Sequence, residues 1–325
     1  MELTIGTTST RATIQLLGAM TTAVFEAGTA REFSPLYTAG WSGFPQVPLL
    51  DRLRGDFLCV PFGAAPDTAE ALPEPWRTGY AGPGRWVHGL SSNAPWEVVA
   101  HDGDRAVLRL DYDDDSPVAR VERTVSCAEG AVEFVDAIVM RADARLPLGL
   151  HPILRLPDSP GAARLELPGC REVWPLPSDS GTSVLDNSAP FPDPTQAPRA
   201  DGGTIDLTRL PLTERVDEIL LVADPDEPTI GLVNEEEGYR VGVEWDPEHL
   251  SSALLWISNR GRQGEPWAGR NVCLGVEPIT SAFDFGEGVS AADNPLAAAG
   301  VRTTVDLRAG ERYEIRHRIT GRSLR

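Results

Sequence analysis

The chain contains no lysine: every basic side chain other than its five histidines is an arginine. That excludes a Schiff-base lysine, a pyridoxal-phosphate enzyme and a P-loop lysine. Cysteine is also scarce. Cys59, Cys127, Cys170 and Cys273 are scattered without a C-x-x-C spacing, so structural zinc is not expected and free thiols in a reducing cytoplasm are the default reading. No apolar run is long enough to span a bilayer, and the first residues show no basic stretch leading into an apolar core, so neither a membrane span nor a secretory signal is expected. Positive charge is in the minority, 29 Arg against 48 Asp and Glu, for a net charge of -19. Such a surface repels phosphate backbones and anionic lipids, so neither nucleic acid nor a membrane is an expected partner; a neutral ligand is hardly affected.

What is present favours strands. Hydrophobic residues make up 41% of 325 residues, enough for a sizeable core, while 31 Gly and 28 Pro punctuate turns and disfavour helix interiors. Apolar residues recur at every second position. Leu108, Leu110 and Tyr112 alternate with Arg109 and Asp111; Val132, Phe134, Ile138 and Met140 share one parity, interrupted by Asp136; Tyr239 to Trp245 and Tyr313 to Ile319 alternate likewise. Residues 10–27 read as two strands and a turn, because Gly18 and the β-branched residues oppose a helix. Asp113, Asp114 and Asp115 read as a solvated hairpin turn, and residues 175–203, rich in Pro, Ser, Asp and Gly, as a surface excursion between strands. These patterns predict a large antiparallel β-sandwich, 1–325 forming one domain.

Candidate chemistry begins with Glu277, near the end of the apolar run Val272-Cys273-Leu274-Gly275-Val276-Glu277-Pro278-Ile279-Thr280. A carboxylate entering an apolar wall costs free energy unless it is hydrogen-bonded or protonated, so its placement serves fold specificity or chemistry. His151 is an ionisable group in the otherwise apolar Leu148 to Leu154, and His88 stands between Trp86-Val87 and Gly89, where close backbone approach can shape a pocket. His101 and His249 lie in polar turns, and His317 shares parity with Tyr313 and Ile315 as a core or half-buried residue. Asp217 precedes an apolar strand, where a strand-end cap is the simpler reading. Arg260, Arg262 and Arg270 flank Pro266-Trp267, able either to bind an anion or to balance nearby acids. Trp86 and Trp267 lie beside polar loops, where an indole can stack on a sugar face.

The order and surroundings of His88-Gly89, Gly149-x-His151-Pro152, Asp217 and Glu277-Pro278 resemble the aldose 1-epimerase (galactose mutarotase-like) superfamily. The stretch Gly55 to Gly63 is similar to that family's early pocket strand, and Leu307 to Glu311 to its C-terminal turn. The resemblance implies a β-supersandwich of the galactose mutarotase type with a sugar pocket on its concave face. It implies Glu277 as general base, His151 as general acid, His88 as a second donor near the ring or anomeric oxygen, and Asp217 as acceptor from sugar hydroxyls, with Trp86, Trp267 and Arg270 as further binding candidates. It implies an isomerase of carbohydrate metabolism that interconverts hexose anomers, without metal or organic cofactor. Two departures bear on the substrate. Gly63 is followed by Ala64-Ala65 where many members carry Asn-Arg, and Leu90-Ser91-Ser92-Asn93 lacks the arginine that hexose-6-phosphate relatives often carry after His-Gly. A hexose-6-phosphate epimerase and a non-catalytic carbohydrate-binding protein are therefore the alternatives. A two-histidine, one-carboxylate metal site lacks the His-x-His pair usual in jelly rolls, and a glycosidase needs two suitably spaced carboxylates.

Overall fold

The computed structural model describes residues 1–178 and 181–324. Among these, strands dominate and helices are short, such as Pro48–Asp51 and Glu287–Ala291. No helix among the described residues is long and apolar enough to cross a membrane. Two antiparallel sheets carry the architecture. A 9-stranded sheet runs, in spatial order, from Arg209–Leu210 through Ala163–Glu166, Thr229–Asn234, Tyr239–Trp245, Arg312–Ser323, Ala131–Met140, Val118–Ala128 and Arg105–Asp111 to Glu97–His101. A 7-stranded sheet runs from Cys170–Pro175 through Val216–Pro225, Ser252–Asn259, Val272–Thr280 and Leu148–Leu150 to Leu58–Cys59, with Ile153–Arg155 pairing beside Leu148–Leu150 on Val272–Thr280. The predicted antiparallel β-supersandwich is what the chain forms.

The period-two patterns take their expected places. Tyr239, Val241, Val243 and Trp245 are buried while Arg240 and Glu244 are less so. Thr10–Gln15 and Met20–Phe25 form a hairpin in a separate 3-stranded sheet with Glu2–Gly6. Asp113 to Asp115 lie exposed between the paired strands Arg105–Asp111 and Val118–Ala128.

The 7-stranded sheet is covered on both faces, which is why its central strands are apolar throughout rather than alternating. Ser252–Asn259 is buried at every position. Register decides which residue faces where: Asp217 stands opposite Ser258, Ile219 opposite Trp256, Trp256 opposite Gly275 and Leu254 opposite Glu277. Paired residues share a face, so Asp217, Ile219, Leu254, Trp256, Ser258, Gly275 and Glu277 all project to one side. Leu220, Val222, Leu255, Ile257, Leu274 and Val276 project to the other, into the main core between the sheets. The first side meets a second apolar cluster that includes Leu49, Leu53, Phe57, Phe62, Trp76 and Phe283.

The excursion after Cys170–Pro175 is laced to the sheet edge. Val173 and Phe191 exchange backbone hydrogen bonds of 2.9 Å, and Leu185, Phe191 and Ala197 are buried. Two of its residues, 179 and 180, lie outside the described residues.

Candidate functional site

The first side of the 7-stranded sheet, the one that carries Trp256 and Glu277, holds a cavity of about 240 Å³ whose wall includes His88, His151, Trp256, Arg262, Trp267, Glu277 and Asp284, together with Leu49, Leu50 and Leu53. Glu277 comes from the strand Val272–Thr280 and is 2% exposed. Room for its carboxylate is made by Gly275, two residues earlier on the same face: a Cβ there would lie 2.4 Å from Glu277 Oε1. His151 follows the short strand Leu148–Leu150, and its ring stacks on Phe57 with centroids 4.6 Å apart. These placements bring His151 Nε2 to 3.4 Å from Glu277 Oε1.

His88 arrives on a loop rather than a strand. Its φ of 57° lies in the left-handed region, uncommon for a residue with a side chain and costly unless the surroundings hold it. They do. His88 N–H donates to the Gly63 carbonyl at 2.6 Å, Ser92 Oγ donates to the His88 carbonyl at 2.7 Å, and Asn93 Nδ2 donates to the Val87 and Gly89 carbonyls. Gly89 is required next to it, because a Cβ there would sit 2.1 Å from the Val60 carbonyl oxygen. The Ser91-Ser92-Asn93 segment thus serves to clamp the histidine loop. The His88 ring packs on Phe62 at 4.7 Å and stands edge-on to His151 at 5.1 Å; its Nδ1 is buried without a hydrogen-bond partner.

A polar chain supports the opposite wall. Asp217 Oδ1 accepts from Arg262 Nε at 2.8 Å and Trp256 Nε1 at 2.9 Å, while Oδ2 accepts from Ser258 Oγ at 2.9 Å. Asn271 Nδ2 donates to Ser258 Oγ at 2.8 Å, and Tyr37 Oη donates to Asn271 Oδ1. Arg262 is sandwiched near two indoles, its Cζ 5.2 Å from the Trp256 ring and 5.4 Å from the Trp267 ring. Both oxygens of Asp217 are therefore occupied by protein donors, and Asp217 reaches the cavity through Arg262 rather than lining it.

Electrostatics follow from burial. Burial, and next the nearby Asp284, lift the Glu277 carboxyl well above the usual range, while Arg262 pulls it back. Asp284 is raised by burial too, against the pull of Arg262. Burial, then the proximity of His88, hold His151 well below an ordinary imidazole, and burial pushes His88 down to about 3, with Arg262 adding to the effect. Burial thus favours the neutral form of both groups, with the proton on Glu277 rather than on His151. One proton, shared between a carboxyl and an imidazole at 3.4 Å, can pass in either direction when a ligand offers its own donor and acceptor.

The His88 shift has a measurable consequence. Between pH 6.5 and about 3 the unfolded chain binds a proton that the native His88 refuses, so stability is lost as pH falls through that window. His88→Asn, chosen because asparagine tolerates positive φ, removes that loss. Urea titrations at pH 7 and pH 5 are expected to show the variant losing less stability than the wild type, the difference growing by at most about 1.4 kcal/mol per pH unit. Parallel acid sensitivity in both proteins would assign the loss to other groups.

Of the residues expected from sequence, His88, His151, Glu277 and Trp267 converge on the cavity and Asp217 supports it. Trp86 and Arg270 are not brought to it. Trp86 lines a neighbouring cavity, because the loop turns between it and His88, and Arg270 is exposed beyond Trp267. Of the three arginines flanking Pro266-Trp267 the sequence reading singles out Arg270, whereas the structure brings Arg262 to the cavity; Trp256 and Asp284 carry no signal in the sequence, Trp256 reading as one more core residue of an apolar strand and Asp284 as a turn residue. Among the described residues no group of three or more His, Cys, Asp or Glu side chains is disposed to hold a metal ion.

No family model matches the chain, and no curated protein matches it significantly. Solved structures do. A protein from Synechocystis sp. PCC 6803 aligns over 99% of this chain and 96% of its own, with a TM-score of 0.65 at 16% identity. A galactose mutarotase related enzyme from Lactobacillus acidophilus aligns over 99% and 98%, with a TM-score of 0.64 at 14% identity. An aldose epimerase homologue from C. elegans aligns over the whole of both chains, with a TM-score of 0.60 at 16% identity. At these identities the likeness is one of fold. From end to end, this chain has the fold of the galactose mutarotase-like proteins.

Proposed function

We propose that the chain is an aldose 1-epimerase acting on a neutral aldose, with Glu277 and His151 as the exchanging acid–base pair. The observation that carries the reading is the 3.4 Å approach of His151 Nε2 to Glu277 Oε1 inside a ring-sized cavity flanked by two indoles. Anomer exchange needs a base to take the proton of the anomeric hydroxyl and an acid to protonate the ring oxygen; rotation about C1–C2 follows, and the roles reverse on closure. One proton held between two groups suffices for that cycle. A sugar bridging the pair, with Arg262 beside it, favours the carboxylate and imidazolium over the neutral pair. His88, neutral and with a ring 5.1 Å from that of His151, is placed to donate to or accept from a sugar oxygen without competing for the proton. Trp256 and Trp267 offer apolar faces to the C–H side of the ring.

The charge of the cavity favours a neutral sugar over a phosphorylated one. Its guanidinium, Arg262, is already bonded to Asp217, and two carboxyls, Glu277 and Asp284, share the wall. The Ala64 that stands where many mutarotases carry Asn also lines this cavity, so Arg262 supplies from another strand end the cation that the Gly63 segment lacks. The test is polarimetry on freshly dissolved α-D-glucose and α-D-galactose with purified protein, beside α-D-glucose 6-phosphate. Acceleration of the neutral sugars supports the proposal; binding without acceleration makes the protein a carbohydrate-binding module on this fold.

Arg262→Met is expected to raise KM about ten- to hundredfold, the worth of a hydrogen bond to a charged group. Because Arg262 also lowers the Glu277 pKa, the acid limb of the kcat/KM profile moves to higher pH in the variant. An unchanged KM with an unmoved limb would take Arg262 out of the site.

A further inference from the structure

Asp284 lines the acid–base cavity with a carboxyl that the surrounding protein leaves unsatisfied. Glu277 faces His151, and Asp217, expected from the sequence to accept from sugar hydroxyls, has both oxygens taken by Arg262, Trp256 and Ser258. No hydrogen bond or ion pair from another described residue reaches the Asp284 carboxyl; its own backbone N–H alone does. The side chain is half-buried and burial raises its pKa, so holding it on this wall is costly without a ligand to satisfy it. The placement is nevertheless built. After Val272–Thr280 the chain turns, and Phe283 adopts a φ of 51°, in the left-handed region that a bulky side chain rarely enters. Ser281 Oγ donates to the Phe283 carbonyl at 2.7 Å, Ala282 N–H donates to Ser290 Oγ at 3.1 Å, and Ala64 N–H donates to the Asp284 carbonyl at 2.6 Å. The Phe283 ring stands edge-on to Trp76 at 5.5 Å. Backbone strain of this kind persists only where the surroundings over-determine it, and it clusters at active sites and ligand clamps. Ala64, bonded to Asp284 through the backbone, adds only a methyl to the same wall, so the polar function there belongs to the carboxyl.

We propose that Asp284 is a specificity-determining residue: its carboxyl accepts from a hydroxyl, or a pair of hydroxyls, of the sugar away from C1, so that the substrate is an aldopyranose bearing hydroxyls there rather than a deoxy analogue. The inference rests on the proposed epimerase reading and deepens it. The occupant's own chemistry selects this role. The Glu277–His151 pair is engaged with the anomeric hydroxyl and the ring oxygen, which leaves the hydroxyls at C2, C3, C4 and C6 as donors in search of acceptors. Arg262 only donates, the two indoles meet C–H faces, and a neutral His88 has one acceptor nitrogen. The strong acceptor that remains on the wall is Asp284. Such a group discriminates sharply, because an analogue lacking the hydroxyl leaves it unpaired in a water-poor site.

The experiment measures mutarotation of D-glucose and D-galactose, and of the 2-, 3-, 4- and 6-deoxy analogues of whichever is turned over faster, in the wild type, in Asp284→Ala and in Asp284→Asn. In the wild type at least one deoxy sugar is expected to fall about ten- to hundredfold in kcat/KM below its parent. In Asp284→Ala the parent falls by a similar factor and that deoxy sugar falls no further, while Asp284→Asn, which keeps one acceptor oxygen, recovers part of the loss. Both substitutions also relieve Glu277 of a neighbouring charge, so the acid limb of kcat/KM moves to lower pH for every sugar alike. The sugar-specific coupling is what a purely electrostatic or structural role would not produce. An equal loss for the parent and all its analogues in Asp284→Ala, or no loss, overturns the proposal and leaves the epimerase reading in place. Because the carboxyl bonds no other described side chain, both variants are expected to fold; failure of both would make Asp284 a structural residue and overturn the proposal likewise. If the wild type turns over no sugar, the epimerase reading fails, and calorimetric titration of the same panel decides Asp284 alone. Binding weakened by Asp284→Ala for the parent but not for one deoxy analogue supports the assignment, and absent or uniformly changed binding removes it.

Discussion

Replacing Glu277 by glutamine is expected to suppress anomer exchange by about 10²- to 10⁴-fold, the usual contribution of one positioned acid–base group. The substitution preserves shape and removes only the titratable proton. It also costs the fold little, for a reason specific to this site. Burial favours the neutral form of the Glu277 carboxyl, so a neutral amide matches the form that the site prefers. The sign of the pH effect on stability follows. Unfolded, a glutamate releases its proton near its ordinary value; folded, Glu277 holds it to higher pH, so wild-type stability declines as pH rises from that ordinary value through the raised one. Glu277→Gln lacks this decline and is expected to match or exceed wild-type stability at neutral and alkaline pH. Polarimetry and urea titration on the same preparations check both halves. Wild-type rates in a folded Glu277→Gln would falsify the base assignment outright, and a variant that fails to fold would contradict the preference of this position for an uncharged side chain.

The alternation of strands was legible because the 9-stranded sheet buries one set of side chains and leaves the other partly open to solvent, as Arg240 and Glu244 between Tyr239, Val241, Val243 and Trp245 illustrate. The three groups at the heart of the site were legible for the opposite reason: Glu277, His151 and His88 interrupt apolar surroundings, and such interruptions are expensive unless paired. Their partners were hidden. Trp256 lies in a strand buried on both faces, where no period marks the residue that turns towards the cavity, and only its register opposite Gly275 reveals it. Arg262 owes its position to a carboxylate 45 residues earlier, reached through sheet pairing that the sequence does not spell out. Asp217 was visible as a polar residue at a strand start, but its two occupied oxygens, and hence its indirect route to the cavity, depend on Ser258 and Trp256 from the neighbouring strand. The same holds for Asp136, whose parity announced an acid among core positions but not its counterpart.

That counterpart is Arg123, and its removal is expected to be the most destabilising single change considered. Arg123 and Asp136 stand opposite one another on Val118–Ala128 and Ala131–Met140 and both face the core. Arg123 Nε and Nη2 donate to the two oxygens of Asp136 at 2.7 and 2.9 Å, Nη2 also lies 3.0 Å from Asp56 Oδ2, and Nη1 reaches the Ala19 and Asp56 carbonyls. His317 Nε2 lies 3.1 Å from the same Asp56 oxygen, its ring stacked on Phe134 at 4.3 Å. All four side chains are fully shielded from solvent. Burial pushes the Asp56 carboxyl up, but His317 and Arg123 together outweigh it and hold the group below its ordinary value. Asp56 adjoins Phe57, on which His151 stacks, so the cluster braces the back of the acid–base site. Arg123→Met fills most of the volume but strands the Asp136 carboxyl and leaves Asp56 with His317 alone, and a buried charge left without its partner costs about 3–5 kcal/mol. Urea midpoints should fall accordingly. Adding Asp136→Leu to Arg123→Met removes the stranded carboxyl and is expected to recover part of the loss. Asp56 sets the pH dependence: because its folded pKa is depressed, it contributes stability above its unfolded value that is lost as pH falls through the folded one. Arg123→Met weakens that depression, so the acid-side loss begins at higher pH in the variant than in the wild type. A variant as stable as the wild type at neutral pH, with the same acid midpoint, would mean that packing rather than charge pairing holds the two sheets together at this point.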